Sequence, residues 1–328
     1  MVDASQTWSQ TIDSLFTSTW AYRKMEATEQ AFLKTPFIYW LREKGKVKNI
    51  SGYRRIEIPL NYGTNETLRW IGKGSTVPIQ DSELLTMAYE EWKYVAVSIM
   101  RWFTEDQQNR SKAQMINLVE TKLATAERTL WEEFERVMFA DGTGSKEPNG
   151  TQNLISITPT SGTVHGIPRC AAGGSTDWWS NQAKAASGAA SVYLVSDMRT
   201  CLNDITKYAR AELKDIFLVT DQTSYELYED VCLDMKILSN TMLADAGFDS
   251  IQFRGKPLMW CPSAPAGYMY FINPNYFYLV CDEQFFMEMT DWKQIPNQPF
   301  DKVAQILCTL NLVTSRPIAL KVLNGIAG

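Results

Sequence analysis

The stretch "TEDQQNRSKAQMINLVETKLATAERTLWEEFERVMFADGTG", Thr104 to Gly144, decides the fold because it predicts one very long helix. Its apolar residues recur at alternating steps of three and four, which is the spacing of one buried helical stripe. The residues of this stripe are Ile116, Val119, Leu123, Ala126, Leu130, Phe134 and Val137. We predict a helix over 105–139, roughly 50 Å long at about 1.5 Å per residue. A rod of this length spans a whole domain.

Both ends of this helix are marked in the sequence. Thr104 can cap its first turn while Gln107 reaches back, as in a capping box. At the other end, Gly142 and Gly144 provide the backbone freedom that a C-terminal cap needs, and Pro148 prevents the helix from resuming. The helix is therefore predicted to stop abruptly and turn.

Composition places the chain among ordinary globular proteins. It has 328 residues, 45% of them hydrophobic, with a formal net charge of -5. An acidic chain is a poor candidate for a protein that binds nucleic acid over its whole surface. Binding through a local basic patch stays an alternative. No uninterrupted apolar run approaches the ~20 residues of a membrane span, and "MVDASQTWSQTIDSLF" has neither a basic leader nor an apolar signal core. We expect a protein made in a cytoplasm, without a membrane partner.

The residues that usually carry chemistry are sparse. Six scattered cysteines form no C-x-x-C pair, and with a single histidine the chain shows no zinc-ligand spacing. We interpret the cysteines as buried small apolar residues and expect no metal and no cofactor. His165 stands in "TVHGIP" with no carboxylate or nucleophile near it in sequence. A catalytic triad could still form in space, so an enzymatic role remains an alternative.

A strand and a projecting loop precede the helix. In "GYRRIEIPLNYG", Ile56, Ile58 and Leu60 alternate with polar residues and predict a strand. The polar segment "NYGTNETLRWIGKGSTVP" follows, punctuated by glycines and a proline, as expected of a projecting loop. A second strand returns through "EWKYVAVSIMRWF", and because both of its faces are largely apolar we predict that it is covered on each side. Such an extended assembly needs neighbours to bury its surface.

Beyond the helix, an irregular region over 151–191 leads into alternating helices and strands. The helices are predicted at "SDMRTCLNDITKYAR" and "QTSYELYEDVCLDM", and strands at "DIFLVT", "IQFRGKPLMWCP", "GYMYFINPNYFYLV", "KVAQILCTLNLV" and "IALKVLNGI". This alternation predicts a compact α+β domain.

The order of these parts resembles the major capsid proteins of tailed bacteriophages with the Hong Kong 97 fold, a family that also includes bacterial nanocompartment shells. Several stretches look like family members in the same order: "FADGTGSKEPNGTQNLISI", "TVHGIPR", "DWWSN", "DIFLVTDQTSYELYED" and "LNLVTSRPIALKVLNGI". The resemblance covers nearly the whole chain and implies an α+β fold of five parts. These are an N-terminal arm (1–49), an extended hairpin loop (50–85), a peripheral domain (86–190) with a spine helix (105–139), an axial domain (191–300) and C-terminal strands (301–328) that return to the peripheral domain.

The resemblance also implies a function. The chain is expected to be a structural, non-enzymatic subunit of the virion. Its copies would form hexamers and pentamers of an icosahedral head that encloses double-stranded DNA. The implied partners are other copies of the chain, a separate scaffolding protein, a portal, decoration proteins and DNA bound without sequence specificity. The helix residues expected in the core are Ile116, Leu123, Leu130, Phe134 and Val137, and the hairpin residues expected at subunit contacts are Tyr62, Arg69, Trp70 and Lys73.

One family feature is not expected here. Some members join a lysine of the hairpin loop to an asparagine of a neighbour through an isopeptide bond. Lys73 lies in the corresponding loop, but no matching asparagine and glutamate can be placed, so we expect no covalent link. Two alternatives stay open: a nanocompartment shell that encloses an enzyme cargo, and a soluble hydrolase or transferase that uses His165 or a cysteine.

Overall fold

The computed structural model describes residues 36–52, 54–63, 67–76, 85–104, 112–142, 144, 146–171, 173–209, 216–235 and 251–328. Within these ranges the chain forms five α-helices, two short 3-10 helices and fifteen strands. The α-helices are α1 (Pro36–Glu43), α2 (Lys112–Met138), α3 (Thr151–Leu154), α4 (Ala190–Ala209) and α5 (Gln222–Met235). This mixture confirms the predicted α+β class.

The strands fall into four sheets. The first eight are β1 (Val47–Ile50), β2 (Ile56–Asn61), β3 (Leu85–Glu90), β4 (Lys93–Arg101), β5 (Thr163–Val164), β6 (Ile167–Pro168), β7 (Gln182–Ala185) and β8 (Phe217–Thr220). The others are β9 (Ile251–Phe253), β10 (Lys256–Trp260), β11 (Tyr268–Ile272), β12 (Phe277–Met289), β13 (Lys293–Ile295), β14 (Gln298–Thr314) and β15 (Lys321–Asn324). β2 and β3 form one hairpin, and β5 and β6 form another.

A five-stranded sheet is built around β14, which is 17 residues long. Different parts of β14 pair with β13, β4 and β12, and β1 adds to the outer side of β12 as a parallel strand. The long helix α2 packs on this sheet through β4. One hydrophobic core joins the helix to the sheet and to α1.

The buried stripe of α2 lies in this core. Leu123, Leu130, Phe134 and Val137 are all buried. The predicted start of the helix, over 105–111, and the side chain of Ile116 lie outside the described residues. No helix in the described part of the chain is both long and apolar enough to cross a membrane.

The C-terminal end of α2 is closed by the segment that follows it. Gly142 has a φ of 68°, the left-handed conformation that glycine adopts without steric cost. The chain then turns back, so that the Thr151 hydroxyl donates to the Met138 carbonyl at 2.7 Å and the Gln152 amide donates to the Phe139 carbonyl at 2.7 Å. Two carbonyls that lack helical partners are thereby satisfied.

A six-stranded sheet has the order β7-β15-β11-β8-β10-β9 and mixes parallel and antiparallel pairs. Helices α4 and α5 pack against it and enclose a second hydrophobic core. The predicted helix "QTSYELYEDVCLDM" matches α5 from its first residue to its last.

Both sheets combine strands from distant parts of the sequence. β12 lies within the predicted axial range (191–300) and pairs with β14, most of which lies in the predicted C-terminal strands (301–328). β7, from the predicted peripheral range (86–190), pairs with β15, from the predicted C-terminal strands (301–328), in the six-stranded sheet. The chain passes between the sheets several times, because strand pairing depends on partners that are distant in sequence.

Within the described part of the chain, the prediction that β4 is covered on both faces is wrong. Val95, Val97 and Ile99 face the core beneath the sheet, whereas Tyr94 and Met100 on the opposite face are 74% and 46% exposed. An apolar pattern shows that a face avoids water. It does not show whether its own chain or another molecule covers that face.

Candidate inter-subunit contact surface

The base of the β2–β3 hairpin is fixed to its own subunit. Along β2, buried and exposed residues alternate, so that Ile56, Ile58 and Leu60 all point to one side. That side packs into a separate hydrophobic cluster with residues from four other parts of the chain: Trp92, Trp179, Tyr278, Val280 and Val313. The indole of Trp179 is fully buried and donates to the Val164 carbonyl at 3.0 Å.

Tyr62, a predicted contact residue, lies at the point where the hairpin leaves this base. Its ring stacks on Trp178 of the same chain, with centroids 4.8 Å apart and planes 16° from parallel. The side chain therefore has a partner in its own subunit, although it remains 37% exposed.

His165 joins the hairpin to the five-stranded sheet. The backbone N–H of Thr314 donates to His165 Nε2 at 3.0 Å, so this nitrogen carries no proton. Nδ1 must then carry it, and it donates to the Glu90 carboxylate at 2.8 Å. The backbone N–H of Tyr89 also donates to the His165 carbonyl at 3.1 Å. Strand β3 is thereby held to β14 through one buried imidazole.

A second set of hydrogen bonds supports the first. The Asn311 amide donates to the Glu91 carbonyl at 2.8 Å, and its side-chain oxygen accepts the backbone N–H of Asn149 at 2.9 Å. Burial raises the pKa of Glu90, but hydrogen bonds from His165, Asn149 and the backbone of Glu91 outweigh burial and bring that pKa below its ordinary value of 4.5. The carboxylate is therefore ionised and structural at neutral pH.

These contacts argue against a catalytic His165. Both ring nitrogens are occupied by protein groups and the residue is buried, so neither nitrogen can take a proton from a substrate. Burial raises the pKa of the Cys201 thiol to about 12 and also raises those of Cys261 and Cys281, which leaves the three thiols protonated. In the described ranges, no three His, Cys, Asp or Glu side chains come together as metal ligands.

The tip of the hairpin differs from its base. Among residues 67–76, Trp70 is fully exposed and Leu68 is 89% exposed, with Ile71 beside them. Arg69 and Lys73 are exposed on the same segment. Trp70, Arg69 and Lys73 are among the contact residues predicted from the sequence, whereas the exposed side chains of Leu68 and Ile71 are not. The sequence does contain an indication of their exposure, since both are large apolar residues in an otherwise polar loop.

A second apolar surface lies at the far end of β4. Phe103 and Phe300 are exposed, with ring centroids 5.1 Å apart, just beyond the end of β4 at which Met100 is exposed. Scattered apolar residues are normal on a protein surface, but contiguous groups mark contacts with other macromolecules. The geometry therefore favours association of whole proteins over the chemistry of a small substrate.

The described architecture is the fold of phage capsid subunits, the Hong Kong 97-type fold that the sequence resembles. The capsid protein of cyanophage A-1(L) superposes with a TM-score of 0.66 at 14% identity, covering 87% of this chain and 91% of that chain. The capsid of a native GTA particle gives a TM-score of 0.58 at 12% identity, covering 88% and 91%. The holo-SrpI encapsulin complex from Synechococcus elongatus gives 0.52 at 10% identity, covering 87% of each chain.

No protein-family model and no curated protein matches this sequence. The identities to these solved structures are low, so the likeness establishes the fold and not the function.

Proposed function

We propose that this chain is the major capsid protein of a tailed bacteriophage, a structural subunit that assembles into the icosahedral head of the virion. The observation that carries the proposal is the match of fold along nearly the whole chain to shell-forming proteins. The hairpin supports it, because its base is tied to its own chain by a buried cluster while its apolar tip is exposed and available to a neighbouring copy. Identical subunits that meet through unlike surfaces close into rings of five or six.

The proposal assigns a role to each part of the fold. The five-stranded sheet with α2 corresponds to the peripheral domain, and the six-stranded sheet with α4 and α5 corresponds to the axial domain at the capsomer centre. Trp70, Leu68 and Ile71 at the hairpin tip bury their side chains on a neighbouring copy. The subunit works without a cofactor and catalyses no reaction, and its other partners are a scaffolding protein, a portal, decoration proteins and the packaged DNA.

The second candidate is a nanocompartment shell that encloses an enzyme cargo. The encapsulin complex shares the fold, but its TM-score of 0.52 is below the 0.66 of the cyanophage capsid. The two functions differ in what the particle contains. Phage heads formed in the cell hold nucleic acid, and nanocompartments hold a protein cargo.

Electron microscopy of the purified protein, over a range of protein concentration and ionic strength, tests the proposal. We expect closed shells or rings of five and six subunits, formed by the chain alone or with its scaffolding protein. Denaturing gels of the particles are expected to show monomers, since no covalent link through Lys73 is predicted. A compact monomer that persists even with scaffolding protein would contradict the shell function.

A further inference from the structure

A strip of basic side chains borders the hairpin base at the edge of the five-stranded sheet. Residues 42–55, which include β1, hold six of the chain's 32 basic residues and one of its 37 acidic residues. The chain as a whole has a net charge of -5, so this concentration of positive charge is local. β1 is the outermost strand of its sheet in the described structure, which places the strip at the surface.

Two lysines of this strip are held by neutral groups. Lys46 Nζ donates to the Asn275 side-chain oxygen at 3.1 Å. Lys48 Nζ lies 3.8 Å from the centroid of the Tyr278 ring, within cation–π distance. Both side chains are positioned, yet neither charge is neutralised by these contacts.

Arg316 extends the strip from a distant part of the chain. Its guanidinium carbon lies 5.4 Å from the centroid of the Tyr276 ring, and its Nη1 is 3.4 Å from the Tyr276 hydroxyl. Tyr276 follows Asn275 directly, so the cations of Arg316 and Lys46 are anchored to adjacent residues. Three positive charges therefore gather around the short segment 275–278.

Several other cations in the molecule form ion pairs with carboxylates. Arg136 binds the carboxylates of Glu133 and Glu147, and Lys184 binds Asp197. Within the described part of the chain, no carboxylate forms an ion pair with Lys46, Lys48 or Arg316. Fixed cations without a counter-charge are suited to receive an external anion.

We propose that Lys46, Lys48 and Arg316 bind the phosphate groups of a nucleic-acid backbone; this inference rests on the proposed function, which places the subunit around DNA. Residues two apart on an extended strand are separated by about 7 Å, which is comparable with the distance between neighbouring phosphates along one DNA strand, so the two lysines can contact neighbouring phosphates. Three contacts give weak, salt-dependent binding without sequence specificity. Weak binding lets packaged DNA leave.

The surroundings favour nucleic acid over an acidic protein segment. Protein partners are usually anchored by large apolar side chains at the centre of the contact. Among the described residues, none of the exposed large hydrophobic side chains lies within 42–50 or 275–278. The strip therefore offers positive charge without an apolar anchor. Phosphate binding requires only the positive charge.

Fluorescence anisotropy of a labelled DNA duplex of about 30 base pairs, titrated with the full-length unassembled subunit between roughly 50 and 200 mM salt, tests the inference. The variant K46Q/K48Q/R316Q is compared with the control R128Q/R199Q/K293Q, which removes the same charge from exposed positions elsewhere. We expect the affinity of the triple variant for DNA to drop more than roughly tenfold at the lowest salt. Its slope of log affinity against log salt should become less steep by about 3. The control is expected to keep both the slope and the affinity of the wild type.

Several outcomes would overturn the inference. One is an unchanged slope of log affinity against log salt in the triple variant. If that variant only aggregates more, the lysines instead protect an edge strand from pairing with another sheet. Another is an equal loss of affinity in the control. A third is displacement of the duplex by polyglutamate at equal charge concentration, which would indicate an acidic protein partner. Where the triple variant does not fold, Lys48→Gln alone must lower the slope by about 1.

Particle formation is scored separately by electron microscopy. A triple variant that still forms shells but loses DNA affinity supports the inference. Wild-type protein that forms no particles, yet binds DNA through these three residues, would defeat the proposed function and leave the binding site standing.

Discussion

The base and the tip of the same hairpin use their large side chains in opposite ways. At the base, Ile58 and Trp179 are buried in the subunit, and Tyr62 stacks on Trp178. At the tip, Leu68 and Trp70 lie in solvent. The base therefore gains its stability from folding, whereas the tip can gain burial only from another molecule.

Under the proposed function, this difference lets one segment serve both the fold and the assembly. A hairpin that presents an apolar tip must be held firmly at its base, because a loose arm loses conformational entropy when it binds. The buried cluster and the His165 hydrogen bonds provide that support. Variants at the base should change stability, and variants at the tip should change association.

The largest effect on stability is expected for Trp179→Ala at the base. The change removes a fully buried indole and its hydrogen bond to Val164, and it leaves a cavity under the hairpin. We expect a loss of about 3–5 kcal/mol in the free energy of unfolding, measured by chemical denaturation. Trp70→Ala is the matched control and should change that free energy by less than about 0.5 kcal/mol. Equal losses in the two variants would refute the distinction between base and tip.

His165→Ala is expected to rank second. It leaves the buried Thr314 N–H without its acceptor and removes one donor from the partly buried Glu90 carboxylate, which keeps its hydrogen bonds from Asn149 and the Glu91 backbone. We expect a loss of about 2–3 kcal/mol in the free energy of unfolding, since each unsatisfied buried group costs about 1–3 kcal/mol. A variant as stable as the wild type would show that the imidazole does not support the hairpin. If a measurable enzymatic activity disappeared while assembly persisted, the structural function itself would have to be abandoned.

At the tip, Trp70→Ala is expected to weaken association. Buried tryptophans at interfaces often contribute about 2 kcal/mol or more, which corresponds to roughly a 30-fold rise in the protein concentration needed for assembly. Light scattering during assembly, over a concentration series, measures the shift. Lys73→Ala is the control, because a charged rim residue contributes little. Normal assembly of the Trp70 variant would place the contact elsewhere, for example on the exposed face of β4.

A smaller effect is expected for Tyr62→Ala, where the hairpin leaves its base. The change removes a stacked pair that is partly exposed, so the free energy of unfolding should fall by about 1 kcal/mol. Tyr62→Phe keeps the ring and should stay within about 0.5 kcal/mol of the wild type. A strong assembly defect in the Ala variant, without a loss of stability, would instead place Tyr62 at the subunit contact.

The smallest effect is expected for the contribution of Glu90 to the pH dependence of the free energy of unfolding. Its folded pKa lies below the ordinary 4.5, so the ionised carboxylate stabilises the fold above about pH 4.5 and loses that contribution as pH falls through the folded pKa. Glu90→Gln keeps an acceptor for His165 but cannot ionise. Its free energy of unfolding should therefore decline less than that of the wild type between about pH 5 and pH 3. Parallel curves for the two proteins would show that Glu90 is not stabilised in its ionised form.

The elements that sequence alone identified are those with a strong local period. The apolar stripe of α2, the alternation of Ile56, Ile58 and Leu60, and the whole of α5 could all be read from spacing. Helical and extended chains place side chains at fixed intervals, so a face that must be buried leaves a pattern within a few turns or a single strand.

Tertiary structure alone decided which strands pair and which faces meet solvent. His165 and Thr314 are separated by 149 residues, and nothing near either one indicates the other. In the same way, the spacing in β4 showed an apolar face but not that Tyr94 stays exposed, and no local pattern placed β15 in the six-stranded sheet. A periodic sequence fixes the direction in which a side chain points. The packing of distant segments determines what that side chain meets, because their contacts depend on the path of the whole chain.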